Sequence, residues 1–542
     1  MSSLNRREAL KLACSSSLAA VAATAPVAFA STAGSTHSSV PRWEVFEVQF
    51  TGPSSGNPFD DVQLTASFSL GNRSVPVSGF YDGVKNGFGV YKIRFMPDTA
   101  GTWTYKTFSN VHPLNGQTGS FQCTAAVEGS HGPVAVRNTH HFAYADGTPF
   151  FPFGTTCYAW IHQSDVLQQQ TLESLRTYPF NKIRMCVFPK SYEYNHDEPA
   201  LYPFARSTEG ASDFKQPNPA FFAHLEERIT DLRTLGIQAD LILFHPYDRW
   251  GYATMPADAD DRYLRYVLAR LSAHCNVWWS LANEYDFMKV KSTQDFDRLF
   301  HIVEQHDPVS HLRSIHYSGV MYDYGHPWVT HASLQTYDFA AAPGYLKTWR
   351  KPVVYDEIMY EGNLNKRWGN ISGEEITRRF WLGVIAGCYV THGETYLDSD
   401  KPMDESTTPT LWWSHGGTLK GKSPQRIAFL RKLLEETCAD HQTSRTGLEA
   451  NADSYYLNAA SYAQREPASP AGTEKAPDTI WYYLNFHQPI YYEFQLPDAA
   501  YRAELIDPWE MTVKPLSGMF TGKTKLVLSD KPYQALRFRR VS

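Results

Sequence analysis

Two short stretches place acidic residues where apolar runs stop. Trp278-Trp279-Ser280-Leu281-Ala282 runs into Asn283-Glu284, and Pro352-Val353-Val354-Tyr355 runs into Asp356-Glu357. A carboxyl at the end of a buried strand is held in one direction and partly desolvated, which is what general acid or nucleophilic chemistry requires. Two such carboxyls flanking one acetal carbon can cleave a glycosidic bond. One protonates the leaving oxygen while the other attacks the anomeric carbon or activates water. Asp356 and Glu361 compete with Glu357 for the second role. Side-chain alternation along a strand favours Glu357, because it turns Asp356 away if Glu357 faces the substrate.

These acids need elements to hold them. Eight strand candidates occur between residues 141 and 440: Phe153–Ala159, Lys182–Phe188, Gln238–Phe244, Val277–Asn283, Leu312–Tyr317, His331–Tyr337, Val353–Glu357 and Gly387–His392. Helical segments separate them. Asn218-Pro219 opens one, with Phe222, Leu225, Ile229 and Leu232 at helical spacing and Gly236 at its end. A second helix is expected from about Asp258 to His274, and Ser372-Gly373-Glu374-Glu375 starts a third. Eight strands alternating with helices predict an α/β chain folded as a (β/α)₈ TIM barrel. The alternative is a doubly wound open sheet, but no glycine-rich phosphate loop follows any of the strands. In a barrel, the fourth and seventh strands end across the mouth from one another, so Glu284 and Glu357 can face a single sugar.

Around this segment the pattern changes to period two. Residues 43–50, 62–68, 91–95 and 103–105 alternate and are joined by turns, and β character returns after about residue 445. The expected organisation is an N-terminal antiparallel β-sandwich over 38–127, a linker over 126–140, the barrel over 141–440 and a C-terminal β-sandwich over 445–542. A Pro/Ala/Glu-rich loop is expected over 464–478.

The 542 residues include 14 Trp, 32 Tyr and 31 Phe, an aromatic content that suits sugar stacking as well as β-domain cores. A formal net charge of -6, with no long run of either sign, argues against nucleic acid as a partner. Asn5-Arg6-Arg7-Glu8-Ala9-Leu10-Lys11, a mildly apolar Ala-rich stretch and Ala28-Phe29-Ala30 have the form of a twin-arginine signal peptide over 1–30, which implies a periplasmic or secreted product. No other stretch is apolar for long enough to span a membrane. The cysteines form no C-x-x-C pair, and Cys157, Cys186 and Cys388 read as buried thiols. No histidine triad with metal spacing occurs, so neither metal nor organic cofactor is expected. The sequence leaves the oligomeric state open.

Taken together, the Asn-Glu and Asp-Glu strand ends resemble those of glycoside hydrolase clan A, the retaining (β/α)₈ glycosidases. Tyr144-Ala145-Asp146-Gly147-Thr148-Pro149-Phe150-Phe151 and Gly154-Thr155-Thr156-Cys157-Tyr158-Ala159-Trp160 resemble the barrel entry of its apiosidase-like and cellulase-like members. Phe80-Tyr81-Asp82-Gly83, Arg94-Phe95-Met96-Pro97 and Gly101-Thr102-Trp103 resemble the β-sandwich of unknown function that precedes such barrels. The resemblance implies a retaining hydrolase of a β-type linkage in a plant or algal polysaccharide or its oligosaccharides. Glu284 would be the acid/base and Glu357 the nucleophile. Asn283 would bind the sugar 2-hydroxyl, and Arg184, ending the second strand, would hold the nucleophile. His245 matches the histidine that ends strand three. Gln335-Thr336-Tyr337 matches a His-x-Tyr motif with Gln in place of His, and Tyr337 would then hydrogen-bond Glu357. Strand eight, Val390-Thr391-His392-Gly393-Glu394, lacks the tryptophan many clan members carry there, so Trp412 or Trp413 is expected to take its place. Tyr158, Trp160, Tyr247, Trp250 and Tyr285 are further candidate aromatic contacts, and His316 a further polar one. A non-catalytic carbohydrate-binding or scaffold protein is the alternative, and it would need the aromatics but not both acids. A serine esterase is disfavoured because no G-x-S-x-G elbow occurs.

Overall fold

The computed structural model describes residues 38–397, 409–437, 449–450, 457–459 and 479–541. The expected signal peptide, Cys14, Cys438 and the loop 464–478 lie outside the described residues. Eight parallel strands form the central sheet: β1 (Phe153–Thr156), β2 (Lys182–Cys186), β3 (Gln238–Phe244), β4 (Val277–Ala282), β5 (Arg313–Ser314), β6 (Ala332–Gln335), β7 (Val353–Glu357) and β8 (Tyr389–His392). Apart from β5 and β6, each strand is hydrogen-bonded to its neighbours in sequence, and β8 pairs with β1. A parallel bridge between His316 and Ser333 joins the β5 side to β6, so the sheet closes as a TIM barrel. All eight expected strands are present, with the expected ends trimmed where the chain turns out of the barrel.

Helices α1 (Asp165–Thr177), α2 (Pro219–Thr234), α3 (Ala257–Leu271), α4 (Thr293–His306), α5 (Ala342–Trp349), α6 (Gly373–Ile385) and α7 (Ser423–Thr437) cover the outside. Only β5 is followed by a stretch without an α-helix. The local signals act as read. Asn218 caps α2 by accepting from the Ala220 amide, and Gly236 takes φ +71° just beyond its end. Phe222, Leu225, Ile229 and Leu232 of α2 are all fully buried. Strand β3 is buried along its whole length, as expected when helices cover one face and the barrel interior the other.

The interior of the barrel is polar at its centre. Lys182 donates to Asp240 and to Asp356, both at 2.8 Å, and Asp356 also accepts from Ser333 Oγ at 2.6 Å and Thr391 Oγ1 at 2.7 Å. Gly154 makes room for this layer, since a Cβ there would lie 2.5 Å from Thr391 Oγ1 and 3.1 Å from Lys182 Cε.

Before the barrel, seven strands between Ser38 and Thr124 form one sheet. Strand Arg73–Lys85, which the sequence reading missed, pairs by its first half with Leu64–Leu70 and by its second half with Phe88–Phe95. Pairing is antiparallel except between Ser38–Pro41 and Phe121–Thr124. Phe46, Phe68, Phe95, Trp103 and Phe121 form its core. The segment expected as a linker contains a strand instead. Val134–Arg137 pairs with His141–Tyr144, which pairs with Pro149–Phe150, because the Pro and Gly of 126–133 give way to alternating Val134 and Val136. After the barrel, a six-stranded antiparallel sheet and the hairpin-like pair Tyr491–Gln495 and Lys523–Val527 enclose Tyr482, Phe494, Tyr501 and Phe538.

Both flanking regions are fixed to the barrel. Glu226 of α2 lies between Arg94 of the N-terminal sheet and Arg270 of α3, and Arg270 also binds Asp82. On the other side Trp381 of α6 stacks on Tyr483 with centroids 5.4 Å apart, and Arg537 donates to the Leu433 carbonyl. The five described cysteines, Cys123, Cys157, Cys186, Cys275 and Cys388, are all buried.

Candidate active site

A cleft of about 950 Å³ opens at the C-terminal ends of the strands, and both Glu284 and Glu357 line it. Glu357 ends β7. Its Oε1 accepts a hydrogen bond from the Tyr158 hydroxyl, and Arg184 Nη1 lies 3.5 Å away. His316 Nε2 is 3.8 Å from the same oxygen. Burial opposes charge on Glu357, but His316, the Arg184 guanidinium and the hydroxyls of Tyr158 and Tyr360 outweigh it and hold the carboxyl below the usual range. His316 is fully buried, and burial and the Arg184 charge lower its pKa to about 3, while Glu357 opposes that shift.

Glu284 follows β4 at the point where the chain turns into the short helix Tyr285–Phe287. Its backbone adopts φ +48°, a left-handed conformation that costs about 1 kcal/mol or more for a residue with a Cβ. The turn aims the side chain into the cleft. Tyr247 donates to Glu284 Oε2, and Gln335 Nε2 donates to Oε1 at 3.2 Å. Burial and the charge of Glu357 raise the Glu284 pKa. The two carboxyls thus share a cleft and are pushed in opposite directions, one toward the acid and one toward the anion.

Arg184 and Asn283 tie the pair together. Arg184 Nη1 donates to the Tyr158 hydroxyl at 3.2 Å and Nη2 to Asn283 Oδ1 at 3.0 Å. With its oxygen engaged by Arg184, Asn283 presents Nδ2 to the cleft, 3.4 Å from Glu284 Oε2.

The structure brings together Glu284, Glu357, Asn283, Gln335, Tyr158 and Tyr337 around the cleft, with Arg184 and His316 behind Glu357. Several expectations are corrected. Tyr337 does not bind Glu357: it is 46% exposed at the rim with Arg379 packed on its ring. The chain leaves the barrel at Gln335, so the tyrosine two residues on lies outside, and Tyr158 after β1 supplies the hydroxyl. Trp160 is in the core, its indole N–H directed at Met185 Sδ. Trp412 points inward, donating to Thr155 Oγ1, and Trp413 lines the cleft in its place. Tyr285 packs on Phe296 and Tyr322 beneath the surface. Trp250 is buried outside the cleft lining, its indole N–H donating to Glu198 Oε2. His245 is buried, with Nε2 bound to the Phe188 carbonyl, and does not line the cleft. Asp356 is turned from the barrel mouth, as alternation leads one to expect, but it is not turned out of the barrel. It faces the interior one layer below Glu357, bound to Lys182.

Sequence reasoning missed Lys190, Tyr192, Tyr194, Tyr360 and Trp368, all of which line the cleft. They come from loops after β2 and β7, where no periodicity marks an inward-facing position. Among the described residues, Glu361, His392 and Glu394 bring three potential metal-ligand atoms within 4.8 Å of one another. The two carboxylates are already engaged by the chain entering α7. Glu361 accepts from the Lys422 and Ser423 amides, and Glu394 from the Lys420 and Gly421 amides. This cluster anchors that loop.

Comparison with known proteins agrees with this geometry. The family model for the apiosidase-like catalytic domain matches residues 136–439. Two models described as domains of unknown function, DUF5060 and DUF5605, match residues 39–110 and 470–539. No curated protein matches the chain. A solved structure of a candidate glycoside hydrolase from Bacteroides vulgatus is 38% identical, with a TM-score of 0.82, covering 93% of this chain and 100% of that one. A glycoside hydrolase family 5 structure from the same organism is 15% identical with a TM-score of 0.56, over 76% of this chain and 93% of that one, a likeness of fold. The non-catalytic alternative is set aside by the match to a catalytic-domain family and by the two carboxyls in one cleft.

Proposed function

The chain belongs to the apiosidase-like catalytic-domain family and is a glycoside hydrolase, and from that premise we propose that it cleaves a β-type linkage in a plant or algal polysaccharide or its oligosaccharides by double displacement. Glu357 attacks the anomeric carbon as the bond to the leaving oxygen breaks, and Glu284 passes its proton to that oxygen. Water then attacks the glycosyl-enzyme, Glu284 takes the water's proton, and the Glu357 ester bond breaks. Asn283 binds the 2-hydroxyl through Nδ2. The single observation that carries this reading is the opposed environment of the two carboxyls, with Arg184 and Tyr158 on Glu357 and burial on Glu284.

The polymer and the β-type linkage rest on the family resemblance. We also propose that residues 1–30 direct export to the periplasm or medium, and that the β-regions on either side of the barrel are sandwich domains over 38–127 and 445–542.

The test pairs two variants. Glu357→Ala should abolish turnover, with partial rescue by azide. Glu284→Gln should lose about 10²- to 10⁴-fold on unactivated glycosides and much less on aryl glycosides whose leaving groups need no proton. Proton NMR of the first product formed should show the anomer of the substrate. Full activity in both variants, or an inverted first product, would refute the assignment.

A further inference from the structure

Lys190 follows β2 by four residues and lines the cleft together with Glu284 and Glu357. It is 3% exposed. Its Nζ lies 3.9 Å from the ring centroid of Tyr158, 4.3 Å from Tyr247, 4.6 Å from Tyr192 and 5.4 Å from Trp413. Four ring faces make a cage that accommodates an ammonium through their quadrupoles while accepting no ordinary hydrogen bond. Among the described residues, none accepts a hydrogen bond from Nζ. The other buried cations of the barrel are committed to fixed protein partners. Lys182 binds Asp240 and Asp356, Arg184 binds Asn283 and the Tyr158 hydroxyl, and Lys291 binds Asp260.

An ammonium buried without hydrogen-bond acceptors is costly. A methionine would fill the same space between four rings without that cost. The two carboxyls do not consume the donors either, because Glu284 is bound by Tyr247 and Gln335, and Glu357 by Tyr158 and Arg184. Lys190 therefore lines the cleft with donor capacity that no described residue uses.

We propose that Lys190 is a specificity-determining residue that donates from its caged ammonium to an oxygen of the sugar bound against Glu284 and Glu357. The inference rests on the cleft being the glycosidase active site. The acceptor is a hydroxyl of a neutral sugar or the carboxylate of a uronic acid, and the cage keeps the donor in place before substrate arrives.

Lys190→Met is tested on 4-nitrophenyl β-glycosides of neutral hexoses and pentoses and on the β-glucuronide, with plant and algal polysaccharides beside them. On the glycoside that the wild-type enzyme hydrolyses, kcat/KM should fall about 10- to 100-fold, mostly through KM. The Glu284 limb should move up as well, because the Lys190 charge lowers the Glu284 pKa, and the melting temperature should hold or rise. If that glycoside is neutral, a deoxy analogue lacking the accepting hydroxyl should be insensitive to the substitution; if it is the glucuronide, the matching glucoside should be. An unchanged KM, or an effect confined to a shift of the Glu284 limb, would overturn the assignment and leave Lys190 as an electrostatic neighbour only. A wild-type enzyme inert on every substrate would instead sink the active-site reading itself.

Discussion

Replacing Tyr158 by phenylalanine removes one oxygen that sits between two charged groups. That hydroxyl receives a hydrogen bond from Arg184 Nη1 at 3.2 Å and gives one to Glu357 Oε1. Tyr158 is almost fully buried, so no bulk water reaches Glu357 from that side. A hydrogen bond to a charged group contributes about 1.5–3 kcal/mol. At about 1.4 kcal/mol per pH unit, losing it raises the Glu357 pKa by about 1–2 units. Arg184 at 3.5 Å remains and keeps part of the depression. In the proposed reaction Glu357 must be ionised, so the acid limb of kcat/KM reports it in the free enzyme. The assay is that profile from pH 3 to 9 on an activated aryl glycoside, whose leaving group makes little demand on Glu284. The two carboxyls interact, so the limbs belong to the pair, but the acid limb should move up by about 1–2 units while the basic limb stays. An acid limb within about 0.3 units of wild type, or one moved down, would refute the claim that Tyr158 holds Glu357 in its anionic form.

Two further substitutions probe the frame around the site. Lys182→Met strands Asp240 and Asp356 in the barrel interior without their cation, and should cost about 3–5 kcal/mol in chemical denaturation at pH 7; a loss under about 1 kcal/mol would contradict it. Glu226, between Arg94 and Arg270, has a pKa of about 2, lowered from 4.5 because its arginine partners outweigh burial. Its contribution of about 3 kcal/mol is present above pH 4.5 and is lost as the pH falls toward 2. Glu226→Gln should therefore be less stable at pH 7 and converge on wild type near pH 2, and a deficit that persists at low pH would show that packing rather than charge is responsible.

Much of the barrel was legible because parallel strands buried on both faces leave continuous apolar runs, and the residue that ends each run is easy to find. Glu284 and Glu357 were located by that rule, and Arg184 and Gln335 by the family resemblance. The loops were not legible in this way. Lys190 and Tyr360 owe their places to the path of the chain after β2 and β7, which no local period encodes. Trp412 and Trp413 show the limit of resolution. Both are apolar and adjacent, but they begin a helix of four residues, where successive side chains diverge by about 100°. One therefore enters the core and the other the cleft. Resemblance misled at Tyr337 because it transferred a tyrosine from the end of β6. The chain turns outward there, and the same hydroxyl chemistry is supplied from the end of β1.

Asp356 and Glu357 separate two jobs that the sequence places side by side. Strict alternation would turn one of them out of the barrel, yet Asp356 contacts Lys182, Ser333 and Thr391 inside it while Glu357 lines the cleft above. The pairing of β6 with β7 explains how. Leu334 is opposite Tyr355, but the next partner of Gln335 is Glu357, so the register slips past Asp356. A slip of this kind at the rim of a barrel re-aims a side chain, and it brings two consecutive residues toward the axis at different depths. The lower carboxylate meets fixed partners: Lys182, Arg184 and the Ser333 hydroxyl overcome its burial and drive its pKa far below the usual range. The upper one keeps an open side toward the cleft and is held from behind by Tyr158, Arg184 and His316. Asp356 therefore anchors the interior charge on which Arg184 also rests, at 3.9 Å, and Glu357 is left free to meet a substrate.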